Sequence, residues 1–296
     1  MSPDILALIA ITLVGATVNG ALGYGFSSLT VPVALLFYTN RLLNPALVLI
    51  EVVLNAHVLW TNRTGVVSVW RRVLPIVLGL LPGVALGTWL VYHVNPDWMK
   101  FVTYVTLAPL ILVQAAGLRR PIRAERQAGF ALGTGVGVLY AVTTISGPPL
   151  ALMFNNQGYT KKDFRAGLGL VRLAESSLTA TAYVVVGLIT RESLALIPFI
   201  VPSVLIGIPL GAFIIRRMSS ETFRRIVMSF DAWIVAFGMG TVLVALGLVA
   251  RPQAYVPMAV IGAIDIWLLR RFFSRPRAVE SKPEPEPDPA SISPPY

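Results

Sequence analysis

The sequence predicts an all-α polytopic membrane protein built from two inverted repeats. Each repeat opens with a broken or half-length helix pair followed by three spanning helices, and one extra helix follows at the C-terminal end. Three observations predict this. The 296 residues are 55% hydrophobic and 13% charged, with a mean hydropathy of +0.73, against about a quarter charged in soluble domains. Apolar runs recur at 72–92, 97–117, 194–215, 226–250 and 253–269, each near the roughly 20 residues that cross a bilayer core. Finally, short motifs recur in the same order in the two halves of the chain.

The first half is expected over residues 1–118. MSPDILALIA has no basic leader and no small-residue cleavage site, so it reads as a retained apolar segment. The stretch 19–37, NGALGYGFSSLTVPVALLF, then breaks the run with Gly23, Gly25, Ser27, Ser28 and Pro32. From Ser28 to Tyr38 is 11 residues, about 16 Å of helix, or half a bilayer core. The run 44–62 carries Glu51 and Asn55, and Asn95 caps the helix over 97–117 with Asp97 two positions later. A basic linker, 119–127, is expected in the cytoplasm.

The second half is expected over 128–250. Its break is TTISGPPLALMF, 143–154, where Pro148 and Pro149 lack N–H donors and push their predecessors out of helical geometry. Residues 147–157 then form the second half-length helix, the run 165–189 carries Arg172 and Glu175, and Ser219 caps the helix over 226–250. An extra helix is expected over 251–273. The proline- and charge-rich segment 274–296 is expected to be a disordered cytoplasmic tail.

The repeat is read from matched positions. Pro32–Phe37 resembles Pro149–Phe154, with Gly20 and Gly137 twelve residues before the prolines, and Gly87 and Gly211 eight residues before the caps Asn95 and Ser219. Across the repeat Asn55 aligns with Glu175, and Glu51 falls beside Arg172. Basic residues set the orientation. If each broken segment enters and returns or crosses twice, 19 of the 24 Lys and Arg residues fall on one side, leaving Arg41, Lys100, Arg191 and Arg251 opposite and Arg172 inside a run. A single crossing would divide them almost evenly. The asymmetry makes the halves inverted and places the C-terminus in the cytoplasm.

Inverted repeats with discontinuous helices are the pattern of secondary transporters, with sites near the membrane midplane. A half-helix starting inside the bilayer aims free N–H groups and a partial positive charge at the gap, which suits an anion. The substrate-binding candidates are therefore Asn19, Gly23, Gly25, Ser27, Ser28, Pro32, Thr144, Ser146, Gly147, Pro148, Pro149 and Arg172, with Thr30 and Thr143 beside them. The bland alternative is that the small residues only permit close helix packing. Charges inside apolar runs are functional candidates by default: Arg172 would hold an anion, and Glu51, Asn55 and Glu175 are proton-coupling candidates. Equally, Arg172 and Glu175, three apart, could neutralise each other structurally. Asp231 and Asp265 lie nearer run ends and are expected at the interface, Gln114 stays open, and His57 and His93 read as interfacial or packed.

Other classes fit less well. The formal charge of +10 sits in short clusters between apolar runs, which gives no nucleic-acid partner. With no cysteine, thiolate metal sites and cysteine nucleophiles are excluded, and no metal or other cofactor is expected. No Ser–His pair, paired aspartates or HExxH motif occupies an apolar run, so an intramembrane enzyme is disfavoured. The partners are a small anionic substrate and the lipid bilayer, with the oligomeric state open.

The stretches NGALGYGFSSLTVPVALLF and, at 133–176, GTGVGVLYAVTTISGPPLALMFNNQGYTKKDFRAGLGLVRLAES resemble the sulfite exporter TauE/SafE family over about residues 5–250. The resemblance implies a bacterial inner-membrane permease of two related halves that exports a small anion, such as sulfite or an organosulfonate or carboxylate, driven by an ion gradient. An uncoupled, channel-like anion pathway is the alternative. Tyr24, Phe26 and Ser27 in the first break, and Tyr140 in the second, stand where many relatives are glycine-rich, so the resemblance does not fix which anion fits.

Overall fold

The computed structural model describes residues 2–116, 125–157, 159–217 and 220–274, and every regular element among them is helical. The first half contains α1 (Pro3–Leu22), α2 (Phe26–Ala34), α3 (Asn40–Thr61), α4 (Val66–His93) and α5 (Pro96–Ala116). The second contains α6 (Glu125–Thr143), α7 (Gly147–Asn156), α8 (Lys161–Val185), a single-turn α9 (Arg191–Leu194), α10 (Ile197–Ile214) and α11 (Ser220–Ala245), followed by α12 (Val256–Phe273). Among the described residues, five segments are long and apolar enough to cross a membrane: Pro3–Leu22, Asn40–Thr61, Arg63–His93, Arg191–Ile214 and Arg225–Ala245. The expected linker residues 119–124, the cap Ser219 and residues 275–296 lie outside the described residues, as do the side chains of Gln114 and Arg126.

Local chemistry sets the helix ends. The Ser2 hydroxyl accepts from the Ile5 N–H (3.4 Å) and opens α1. The Asn95 side chain accepts from Asp97 N–H (2.8 Å) before α5, and Thr160 accepts from Asp163 N–H (3.1 Å) at the start of α8. α1 stops at Gly23, whose φ of +81° is left-handed, and Gly25 at +105° caps α2, a geometry that suits glycine. The first break therefore sits at Gly23–Gly25, and Pro32 rides inside α2 instead of opening it. The second break fits the proline reading better, because Pro148 and Pro149 fall in the first turn of α7, where their missing N–H groups cost nothing. The half-helices span 9 and 10 residues.

Helix boundaries recur at nearly constant spacing along the chain. The ends of α1 and α6 (Leu22, Thr143), the starts of α2 and α7 (Phe26, Gly147) and the starts of α3 and α8 (Asn40, Lys161) are each 121 residues apart. Gly83 and Gly207, Gly87 and Gly211, and the starts of α5 and α11 (Pro96, Ser220) are each 124 apart. The three extra residues fall in the segment that holds α9. This register pairs Glu51 with Arg172 and Asn55 with Ser176, one residue from the alignment read off the sequence, and it puts the sequence-matched pairs Pro32/Pro149 and Gly20/Gly137, which are 117 apart, four residues out of step.

The most extensive packing joins the halves: α1 lies along α10, and α4 along α6. Glycines allow these approaches. A Cβ on Gly211 would stand 1.8 Å from the Thr17 carbonyl oxygen, and one on Gly83 would stand 2.2 Å from that of Thr134. Backbones in contact at small residues gain dispersion and packing in a lipid setting. α3 packs on α8 and α5 on α11, with α12 against α11. Outward faces carry exposed Leu81, Leu205, Ile206 and Val67, an apolar surface that only lipid would accept on this scale. Arg63 stacks over Trp60 (4.4 Å) and Arg217 over Phe213 (4.3 Å) near helix ends, the kind of pair that anchors helices at a membrane surface.

Candidate functional site

α3 and α8 carry a buried charge cluster where they pack together. Glu51 and Glu175 are 0% exposed and Arg172 4%. Arg172 Nη2 donates to Glu51 Oε1 at 3.0 Å, while its Nε stands 4.0 Å from Glu175 Oε1. Arg172 is thus held across the two halves by Glu51 and only loosely by its own helix neighbour. Glu51 and Arg172 are 121 residues apart, the same spacing as the helix boundaries around them. Asn55, one turn beyond Glu51, donates to the Arg172 carbonyl (3.2 Å) and to Ser176 Oγ (3.4 Å), which ties the two helices at the same level.

Both breaks reach this cluster. Ser27, in the first turn of α2, donates to Glu51 Oε1 at 2.7 Å. Ser146, the residue before α7, donates to Glu175 Oε1. Tyr140, on the last turn of α6, donates to Glu51 Oε2 at 2.7 Å. Glu51 is fully engaged by three donors. Arg172 Nε and Glu175 Oε2 are buried with no hydrogen-bond partner, which leaves the cluster a donor and an acceptor to spare. With all three groups ionised the cluster carries one net negative charge, and a buried uncompensated charge is costly.

The two breaks meet opposite ends of α3. At the first, Asn19 and Gly23 line a vestibule of about 180 Å³ with Leu54, His57, Asn62 and Arg165, and His57, Thr61 and Arg165 on its rim are exposed. The buried Asn19 Oδ1 has no partner there. At the second, Asn40 and Asn44 in the first turns of α3 donate to the Val142 carbonyl (3.0 and 2.6 Å), and Tyr183 donates to the Ala141 carbonyl. Thr144 takes a left-handed φ of +57°, unusual for a β-branched residue, and its hydroxyl turns to the Thr143 carbonyl (2.7 Å). Tyr140, Val142 and Tyr183 pack there with Val48, Val91, Met99 and Leu188, so this end is sealed.

The remaining predicted residues separate. The Pro32 carbonyl accepts from Tyr104 (2.8 Å), Gly147 lies against the Tyr24 ring, and Ser28 and Pro148 line a second, smaller cavity. Thr143 bonds back to Leu139 within α6 (2.7 Å), and Thr30 Oγ1 is buried against Gly15. His93 is exposed beside Trp89 (4.8 Å). Asp231 and Asp265 depart from the expected interfacial placement: both are buried, at 4% and 0% exposure. Asp265 on α12 faces Ser229 and Arg225 (3.4 Å) on α11, so helix–helix pairing accounts for its burial.

Sequence reasoning did not single out Asn40, Asn44 or Tyr183, and it noted Tyr140 only as bulk among glycines. A usable signal was present, since a tyrosine or asparagine buried in an apolar helix needs a hydrogen-bond partner. A family model described as sulfite exporter TauE/SafE matches residues 7–239. No curated protein and no solved structure matches the chain.

Proposed function

The chain belongs to the sulfite exporter TauE/SafE family and is a membrane transporter of that type, and from that premise we propose that it exports a small anion, sulfite or an organosulfonate or carboxylate, coupled to protons. One observation carries the reading: the starts of both half-helices deliver Ser27 and Ser146 to a buried Glu51–Arg172–Glu175 cluster that has a donor and an acceptor to spare. Helix starts and Arg172 attract an anion. A net negative cluster repels one, so an anion enters favourably only with a proton. Glu175, whose Oε2 is unengaged, is the residue to take it. Glu51 positions Arg172.

The inverted arrangement is supported by the two breaks, whose equivalent residues 19–23 and 140–144 approach opposite ends of α3. It is also supported by the exchange of partners, α1 with α10 and α6 with α4. The basic end is then cytoplasmic and holds the open vestibule, as an exporter loading its cargo requires. Alternating access follows from exchanging the halves. The 121-residue register maps Asn44 to Arg165, Tyr183 to Asn62, and the clamped carbonyls of Ala141 and Val142 to those of Gly20 and Ala21. All four of these counterparts line the vestibule, where they would close the cytoplasmic end when the other end opens.

Flux of labelled sulfite and sulfoacetate into proteoliposomes, with imposed pH and voltage gradients, tests the reading. Flux that follows the pH gradient and is lost in Arg172→Ala is expected. Flux indifferent to pH but following voltage would support the channel-like alternative, and unchanged flux in Arg172→Ala would remove Arg172 from the site. The chain has no cysteine, so single cysteines at Arg41 and Lys161 report orientation. They should label from opposite faces of the membrane, and labelling from one face would sink the inversion.

A further inference from the structure

A second buried carboxylate stands apart from the cluster. Asp231, midway along α11, lines a cavity of about 20 Å³ with Tyr24, Gly25, Ser28, Ile111 and Pro148, room for about one water-sized occupant. Asp231 is 4% exposed, and its Oδ1 has no hydrogen-bond partner. None of the residues lining the cavity is basic. The nearest arginine along α11 whose side chain is described, Arg225, faces Asp265 on α12. The walls come from several elements: Val18 and Leu22 from α1, Tyr24 and Gly25 from the first break, Ser28 from α2, Ile111 from α5 and Pro148 from α7. Tyr24 is the one other titratable group among them, and its ring also lies against Gly147. The cavity therefore touches the start of each half-helix.

We propose that Asp231 is a proton-binding site, separate from Glu175, whose carboxylate competes with the transported anion for the starts of α2 and α7. Two anions cannot share one positive helix end without strong mutual repulsion. When Asp231 is ionised, its own charge occupies the field of those helix starts. When it takes a proton from water the field is released to the substrate, and departure of the substrate favours ionisation again. The small, uncharged cavity accepts the protonated form without an ion partner. By linkage, an anion that binds more tightly to the protonated form must draw a proton in as it binds. This step rests on the anion-transport reading, whereas proton binding at Asp231 does not.

Two measurements on the full-length protein in lipid nanodiscs separate the two claims. Infrared difference spectra across a pH titration should contain a buried carboxylic-acid C=O band that Asp231→Asn removes and Glu175→Gln leaves. If Asp231→Asn does not fold, Asp231→Glu keeps a carboxyl and should displace the band. Absence of any band sensitive to Asp231 overturns the proposal. Sulfoacetate, whose charge stays constant near neutral pH, then serves as the anion in a weakly buffered dye assay. Wild-type protein should take up protons on binding it, and Asp231→Asn roughly one fewer per anion. Equal uptake by the two proteins overturns the competition. No sulfoacetate binding by wild-type protein would count against the anion reading, and with it the competition, while the infrared band decides proton binding at Asp231.

Discussion

The two breaks solve one problem with opposite chemistry. The first turns through Gly23 and Gly25, and a Cβ on Gly23 would meet nothing within 4 Å. The second turns through Thr144 at φ +57°, pinned by Asn40, Asn44 and Tyr183. A glycine turn beside an open vestibule of about 180 Å³ can change shape cheaply, whereas a threonine turn held by three buried donors stays put until those bonds are given up. The difference teaches that one break is in an open environment and the other in a clamped one; under the proposed inversion they are equivalent gates in complementary positions.

The largest test strikes what both breaks share. Arg172→Ala leaves Glu51 and Glu175 as uncompensated buried carboxylates, and a loss of about 3–5 kcal/mol in stability is expected, together with abolished flux. Under the proposed equivalence of Glu51 and Arg172, the exchange Glu51→Arg with Arg172→Glu should recover much of that stability. A double variant no better than the single would break the equivalence, and thermal unfolding in detergent reads both.

The next test separates the breaks. Asn44→Ala removes one amide donor from the clamp, a change of about 1–2 kcal/mol that falls on the sealed state alone. A cysteine placed at Val142 should then react severalfold faster with a membrane-impermeant reagent added opposite the basic end. Asn62→Ala, at the counterpart of Tyr183, should favour the vestibule state and slow that reaction. Equal rates in the two variants would remove the gate equivalence.

The two breaks were legible in the sequence, but the contrast between them, which rests on Asn40, Asn44 and Tyr183, was not. The half-helices, their matched order and the intramembrane charges follow from apolar periodicity broken by glycine and proline. The partner of Arg172 was not legible, because i,i+3 spacing shows that Glu175 shares its face but says nothing of which helix packs opposite. Pro32 was misplaced for a related reason. The left-handed turn at Gly23 and Gly25 ends α1, and a proline can ride in the next helix where tertiary contacts such as Tyr104 to its carbonyl compensate. Asp231 lies in a run that is apolar on nearly every side, so no pattern told which face meets protein and which meets lipid.

A smaller effect sharpens the comparison at the turns themselves. Gly23→Ala should destabilise by about 1–2 kcal/mol, the cost of a side chain in left-handed geometry. Thr144→Gly should stabilise by up to about 1 kcal/mol, since relief of strain outweighs the added chain entropy. The same sign for both would show that the two turns are not alike in backbone. The smallest effect lies at the basic end, in the exposed first turn of α8. There hydrogen bonds from Ser68 (2.6 Å), chiefly, and Thr160 (2.9 Å) hold the Asp163 carboxyl below the usual carboxylate range. Its contribution to stability is present at neutral pH and lost as pH falls through the lowered value. Asp163→Asn should therefore lower the melting temperature slightly at pH 7 and not at all in acid.

The partner exchange between the halves bears on how the chain is made. α1 lies along α10, which begins about 175 residues after α1 ends. At 5–20 residues per second of synthesis, α1 waits roughly 10–35 s for its partner. During that interval the small-residue face of α1 (Ala16, Thr17, Gly20, Ala21) that will meet α10 is turned to lipid, and neither half can be completed alone. Expressing the halves as separate chains should give two short-lived products, and co-expression should rescue both.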